Sequence, residues 1–150
     1  MNGRSNSPVV PIEDAPPADM SNYRPLIMVV DDESIIADTL AAILSRSGYA
    51  TVAAYDGEEA LETALISPPE MLITDVILPG MNGIELATTI RRIFPDCKIL
   101  LFSGQAASAD LLAPARIAGH HFTMLAKPIH PSELLARVSE SLKPVGMRAN

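Results

Sequence analysis

Five short apolar runs recur along the chain, and behind each comes a stretch whose apolar residues fall at helical spacing. No other feature constrains the fold as much. The runs "LIMVV" (26–30), "ATVAAY" (50–55), "MLIT" (71–74), "KILLFS" (98–103) and "TMLA" (123–126) read as strands. The first is continuous and rich in β-branched residues, as expected of a strand covered on both faces. A helix is predicted over 34–47, with Ile35, Ile36, Leu40, Ile43 and Leu44 as its apolar stripe and Gly48 at its stop. A second opens after Asp56, read as an N-cap with Glu59 completing a capping box, and carries Ala60, Leu61, Ala64 and Leu65 until Pro68-Pro69 ends it. Further helices are predicted over 83–94, about 107–118 and 131–142, the last opening with Pro-Ser-Glu. Pro114 lies inside the fourth of these and is expected to shorten or kink it. Strand–helix units in this succession imply a parallel sheet with helices on both faces, a doubly wound α/β domain.

Residues 1–25 differ in kind from the rest. They hold five of the thirteen prolines and show neither helical nor strand periodicity, so a flexible tail is expected there. The domain is then expected over 26–143, with 144–150 as a short C-terminal tail. A net charge of −7 argues against direct nucleic-acid binding, which needs a basic face to meet phosphates. It suits an anionic membrane surface no better, and no apolar run approaches the ~20 residues that span a bilayer. The single cysteine, Cys97, cannot form an internal disulfide, so a reducing, cytoplasmic setting is expected, with Cys97 as a small buried residue at a strand start.

In a doubly wound fold, ligands bind at the carboxyl ends of the strands, so the strand ends carry the functional information. The first strand ends in Asp31-Asp32-Glu33, the third in Asp75, the fourth in Ser103-Gly104 and the fifth in Lys127-Pro128. Each alone has an ordinary explanation. Asp31-Asp32-Glu33 suits an acidic helix start, and Asp75 suits a turn before Pro79. Together, at successive strand ends, they describe a site. Asp31, Asp32, Asp75 and Lys127 carry about −2 between them, and like charges this close need cancelling. A divalent cation does so, and oxygen-only ligands favour Mg²⁺ or Mn²⁺ over zinc. His120, His121 and His130 have no partner at zinc-ligand spacing. With the charge balanced, Asp75 could act as a nucleophilic carboxylate toward a phosphoryl group, with the cation and Lys127 neutralising its oxygens and the Ser103 hydroxyl bonding it afterwards.

At these residues the chain resembles the receiver domain of two-component response regulators. The matching pieces are "VVDDE" (29–33), "LITDVILPGMNGIEL" (72–86), "ILLFSG" (99–104) and "AKPI" (126–129), and the match covers about residues 25–143. The resemblance implies a flavodoxin-like sheet of strand order 2-1-3-4-5. It implies Asp75 as the phosphoacceptor, charged by a histidine kinase or a histidine phosphotransfer protein. Asp32 would ligate Mg²⁺ directly, Asp31 through water or by positioning, and Ile77 through its backbone carbonyl. Ser103 would be the switch hydroxyl and Lys127 the phosphate-pairing lysine, with a cis Lys127–Pro128 bond. A downstream protein would read the phosphorylated surface, and a homodimer through the fourth helix–fifth strand–fifth helix face is a further expectation. The chain would then be a phosphoacceptor rather than an enzyme, assisting only its own phosphorylation and dephosphorylation.

The sequence departs from the family pattern near the lysine. The aromatic expected three residues before it is Met124, with Phe122 two residues earlier, and "AGHHFTMLAKP" runs one residue longer than in many relatives. Either Met124 takes the switching part or the coupling is rebuilt around Phe122. Family positions that tune the hydrolytic water are held by Ile77 and Gln105; an apolar Ile77 predicts slow to moderate self-dephosphorylation. The stretch Lys143–Asn150 after the last helix leaves no room for an output domain, so a stand-alone receiver or one cut from a longer chain is expected. Two other readings stand beside this one: a Mg²⁺-dependent aspartyl-phosphate phosphatase or phosphotransferase, and a pseudo-receiver that is never phosphorylated. The first family usually has a second acid where Ile77 stands, and the second lacks site residues that are all filled here.

Overall fold

The computed structural model describes residues 23–104 and 108–143. Strands and helices alternate through the chain: β1 (Leu26–Val30), α1 (Ser34–Arg46), β2 (Ala50–Ala54), α2 (Gly57–Ile66), β3 (Met71–Asp75), α3 (Gly83–Ile93), β4 (Lys98–Ser103), α4 (Ser108–Ile117), β5 (Thr123–Ala126) and α5 (Pro131–Leu142). The strands form one sheet in the order β2-β1-β3-β4-β5, every pairing parallel. That is the doubly wound, flavodoxin-like order expected from the sequence. The order reverses between β1 and β3, which opens a crevice at their carboxyl ends.

Side chains of a strand alternate between faces, so the core splits into two layers. On one, Met28, Val30, Leu72 and Leu101 pack under Ala60, Ala64, Leu86, Ile90 and Leu112 of α2, α3 and α4. On the other, Ile27, Val29, Met71, Ile73, Leu100 and Phe102 pack against Leu40 and Leu44 of α1 and Leu134 and Val138 of α5. All of β3 is buried because it lies in the middle of the sheet, whereas β2 at the edge is mostly half-buried. Cys97 is buried just before β4, as expected, and burial pushes its thiol up to about 11.

Several local expectations need correction. Ile35 is 79% exposed and Leu65 is 56% exposed. Ile35 stands about 200° around α1 from buried Ala37, and Leu65 lies one step past the stripe made by Ala60 and Ala64. Asp56 does cap α2, accepting from the Glu59 amide at 2.7 Å, but the Glu59 carboxylate takes the Tyr55 amide (2.8 Å) instead of closing a box on Asp56. A complete box sits at α3, between Asn82 and Glu85. Pro114 lies within α4 without ending it. Pro114 and Asp110 are both exposed, and with no N–H on Pro114 the Asp110 carbonyl lacks the usual helical donor four residues on.

Tyr23 and Pro25, assigned to the tail from sequence, contact the domain: the Tyr23 hydroxyl donates to the Glu70 carboxylate, and the Pro25 carbonyl accepts from Ala50 N at 3.0 Å. Residues 1–22 of the N-terminal tail, Gln105 and the C-terminal tail lie outside the described residues. No helix among those described is long and apolar enough to cross a membrane.

Candidate functional site at the carboxyl ends of β1, β3, β4 and β5

Strand register decides which residues meet. Val30 pairs with Thr74, so the next residues, Asp31 and Asp75, come side by side at the tips of β1 and β3. Asp75 pairs with Phe102, and Ser103 with Ala126, which sets Ser103 and Lys127 on the same rim. The Lys127 amide donates to the Ser103 carbonyl at 2.9 Å, extending the β4–β5 ladder by one step. From there the lysine side chain crosses the tip of β4 to reach β3 and β1. Its ammonium passes 5.1 Å from the centre of the Phe102 ring, a cation–π contact that screens it from water on that side.

Lys127 Nζ then donates to Asp75 Oδ2 at 2.9 Å and to Asp31 Oδ2 at 3.2 Å. Both carboxylates are nearly closed off, with Asp31 fully buried and Asp75 6% exposed. Each keeps its other oxygen on the backbone: Asp31 Oδ1 accepts from Glu33 N (2.9 Å) and Asp75 Oδ1 from Ile77 N (3.2 Å). Asp32, the next residue along, is exposed. One oxygen from each of Asp31, Asp32 and Asp75 lies within 4.8 Å of the others. Among the described residues this is the group of acid, histidine or cysteine side chains spaced to share a metal, and no histidine enters it.

The electrostatics carry the imbalance expected from sequence. Burial raises the Asp31 carboxyl above its ordinary range, and the nearby Asp75 charge adds to this; hydrogen bonds from Glu33 N and Lys127 only partly offset it. Burial acts to lower the Lys127 ammonium, but its hydrogen bonds to Asp75 and Asp31 prevail, and its net shift is upward. So one cation sits among three acids, and burial works against the charged form of the most buried of them. An oxygen-rich, net-negative pocket of this kind fits a hard divalent cation such as Mg²⁺.

The remaining candidates fall around this centre. Ser103 is buried at the end of β4, and Ile77 is 44% exposed two residues past Asp75. Met124 is half-buried against the core under α2, α3 and α4. Phe122 packs on the same core, and its ring also contacts the Arg91 guanidinium, 5.0 Å from the ring centre, and the His120 ring, stacked at 5.9 Å. The Lys127–Pro128 peptide is cis, as expected.

Two features escaped the sequence reading. A Cβ at Gly83 would stand 1.9 Å from the Asp75 carbonyl oxygen, so α3 can begin against the backbone of β3's last residue only with glycine there. In the sequence Asn82-Gly83 reads simply as a turn; its signal was present but not specific. The second is a groove of about 440 Å³ beside Lys127, lined by Ile35, Ile36, Thr39, Leu40, Pro128 and Ile129. Exposed Ile35, set aside from the core, forms part of its wall.

Known proteins share this fold and much of this sequence. The family model described as the response regulator receiver domain matches residues 27–139. The alkaline phosphatase synthesis transcriptional regulatory protein PhoP of Bacillus subtilis is 36% identical over 120 residues, 78% of this chain and 48% of that protein. The chain thus spans about half the length of this curated relative. Among solved structures, a CheY-like receiver domain protein from Methanospirillum hungatei superposes with a TM-score of 0.73 at 28% identity, over 80% of this chain and 94% of the other. A two-component transcriptional regulator AraC from Clostridium phytofermentans gives a TM-score of 0.69 at 36% identity, over 79% and 92%.

Proposed function

The chain belongs to the response regulator receiver domain family, and on that premise we propose that it is a signalling switch whose phosphoacceptor is Asp75. The observation carrying this reading is Lys127 bridging Asp75 and Asp31 at the mouth of the β1/β3 crevice. An Asp75 carboxylate oxygen attacks the phosphorus of a phosphohistidine donor as the P–N bond breaks. The departing ring nitrogen keeps the bonding pair and, with its other nitrogen protonated, leaves as neutral imidazole. Lys127 pairs with the incoming phosphoryl oxygens, and the Ser103 hydroxyl bonds the phosphoryl group once attached. Asp31, Asp32, Asp75 and the Ile77 carbonyl would hold Mg²⁺ or Mn²⁺, which when bound neutralises charge on the phosphoryl oxygens.

The donor is a histidine kinase or histidine phosphotransfer protein, and it docks on the apolar groove between Ile35 and Ile129 that opens beside Lys127. Phosphorylation shifts a two-state surface that a downstream protein reads, in the cytoplasm, through α4, β5 and α5 or through a homodimer on that face. Ser103 with Met124 forms the switch in this reading. Phe122, in contact with Arg91 and His120, serves as a fixed prop. The chain accepts a phosphoryl group and has no further substrate of its own.

The test is direct. With Mg²⁺ and a small phosphodonor such as phosphoramidate, the protein gains one phosphoryl mass; Asp75→Asn, or excess chelator, abolishes the gain. Absence of any gain in the wild type with several donors would overturn the reading.

A further inference from the structure

The loop that follows Asp75 is held from two directions. Its inner part is tied to the sheet: Val76 N donates to the Phe102 carbonyl at 3.0 Å, Gly83 N returns to the Val76 carbonyl at 2.8 Å, and Leu78 is buried. Its outer part, Pro79 to Met81, swings away from the sheet toward the start of α2. There Met81 N donates to Glu58 Oε2 at 3.2 Å, across 23 positions of sequence. The carboxylate lies against Gly80, where a Cβ would come within 3.1 and 3.3 Å of its two oxygens. Gly80 has a φ of +70°, so the turn itself also favours glycine. One residue before Glu58, a Cβ on Gly57 would meet the Met81 carbonyl oxygen at 2.8 Å, so the helix start is seated flush on the loop.

Glu58 is not needed to cap its own helix. Asp56 takes the Glu59 amide, and the Glu59 carboxylate takes the Tyr55 amide. The Glu58 side chain instead spans to the loop that carries Ile77. We propose that Glu58 is a positioning residue for the cation site: it clamps the outer half of the β3–α3 loop and so holds the Ile77 carbonyl in place for Mg²⁺. This rests on the reading of Asp31, Asp32, Asp75 and the Ile77 carbonyl as a Mg²⁺ site. An open loop must be ordered by the cation itself, and that ordering is subtracted from the affinity.

Two variants separate the clamp from simple charge. Glu58→Ala removes the acceptor and the charge; Glu58→Gln removes the charge but keeps an oxygen for Met81 N. Calorimetric Mg²⁺ titration of the full chain is expected to show about five-fold weaker binding for Glu58→Ala, the size of one exposed hydrogen bond. Glu58→Gln is expected within about two-fold of wild type on the same grounds. Hydrogen exchange at the Met81 amide should accelerate in Glu58→Ala and not in Glu58→Gln, with melting temperatures lowered by no more than a few degrees. Equal Mg²⁺ affinity in Glu58→Ala and wild type overturns the clamp while leaving the cation site intact. Equal losses in both variants also overturn it, since charge alone would then explain the effect. A wild type that binds no Mg²⁺ overturns the cation site and the clamp with it.

Discussion

Asp31 shows how a single residue in this site is held at a cost. It is fully buried, its two oxygens are committed to Glu33 N and Lys127, and burial still raises its carboxyl above the usual range. A raised carboxyl means that the folded state holds its proton at a pH where the unfolded chain has released it. This contribution to stability is therefore complete below the unfolded-state value and is lost as pH rises through the folded-state value. Without metal, the wild type should lose stability as pH rises from the ordinary carboxylate range through the raised Asp31 value, whereas Asp31→Asn should not. Urea unfolding at a series of pH values compares the two, and parallel curves would sink the argument. The Asp31→Asn protein should also gain less thermal stability from added Mg²⁺. The acid was legible in "VVDDE", but its burial was not. Only the register that sets Asp31 beside Asp75 closes it off.

At the scale of elements, the junction of β3 and α3 sets the tolerance of the site. The Asn82–Glu85 capping box fixes where α3 begins, and Gly83 lets that start rest on the Asp75 carbonyl. Gly83→Ala would place a methyl group 1.9 Å from that oxygen, and the atoms it meets, of Asp75 and Val76, are backbone that cannot turn aside. A loss of about 3 kcal/mol or more is expected, measured by chemical denaturation, with slower phosphorylation because the Asp75 backbone is displaced. A nearly neutral effect would show that the junction is softer than its geometry implies. Element boundaries were readable because their punctuation is chemical: Gly48 ends α1 with a φ of +101°, Asp56 caps α2, and Pro131 opens α5. Two details were less readable. The Glu59 carboxylate took the Tyr55 amide rather than its own cap, and Pro114 was accommodated inside a helix.

Across the whole molecule, stability should follow position in the sheet. β3 is buried throughout and paired on both sides, while β2 and β5 each pair on one side and are only partly buried. Amide exchange in β3 is thus expected to require global unfolding, and exchange in β5 to proceed through a smaller opening that also releases Lys127 from Asp75. Equal protection in the two strands would contradict this. Such an arrangement sets Asp75 on the central strand, β3, and Lys127 at the end of an edge strand, β5. The sequence by itself determined the element types, the doubly wound class and the identity of the acids, the serine and the lysine at the strand ends. Those follow from periodicity and from side-chain chemistry, which are local. Only the tertiary structure decided that Lys127 spans β4 to reach two carboxylates, that Ile35 walls a groove, and that Glu58 reaches Met81. Each of these depends on the distance between elements remote in sequence, and packing sets that distance.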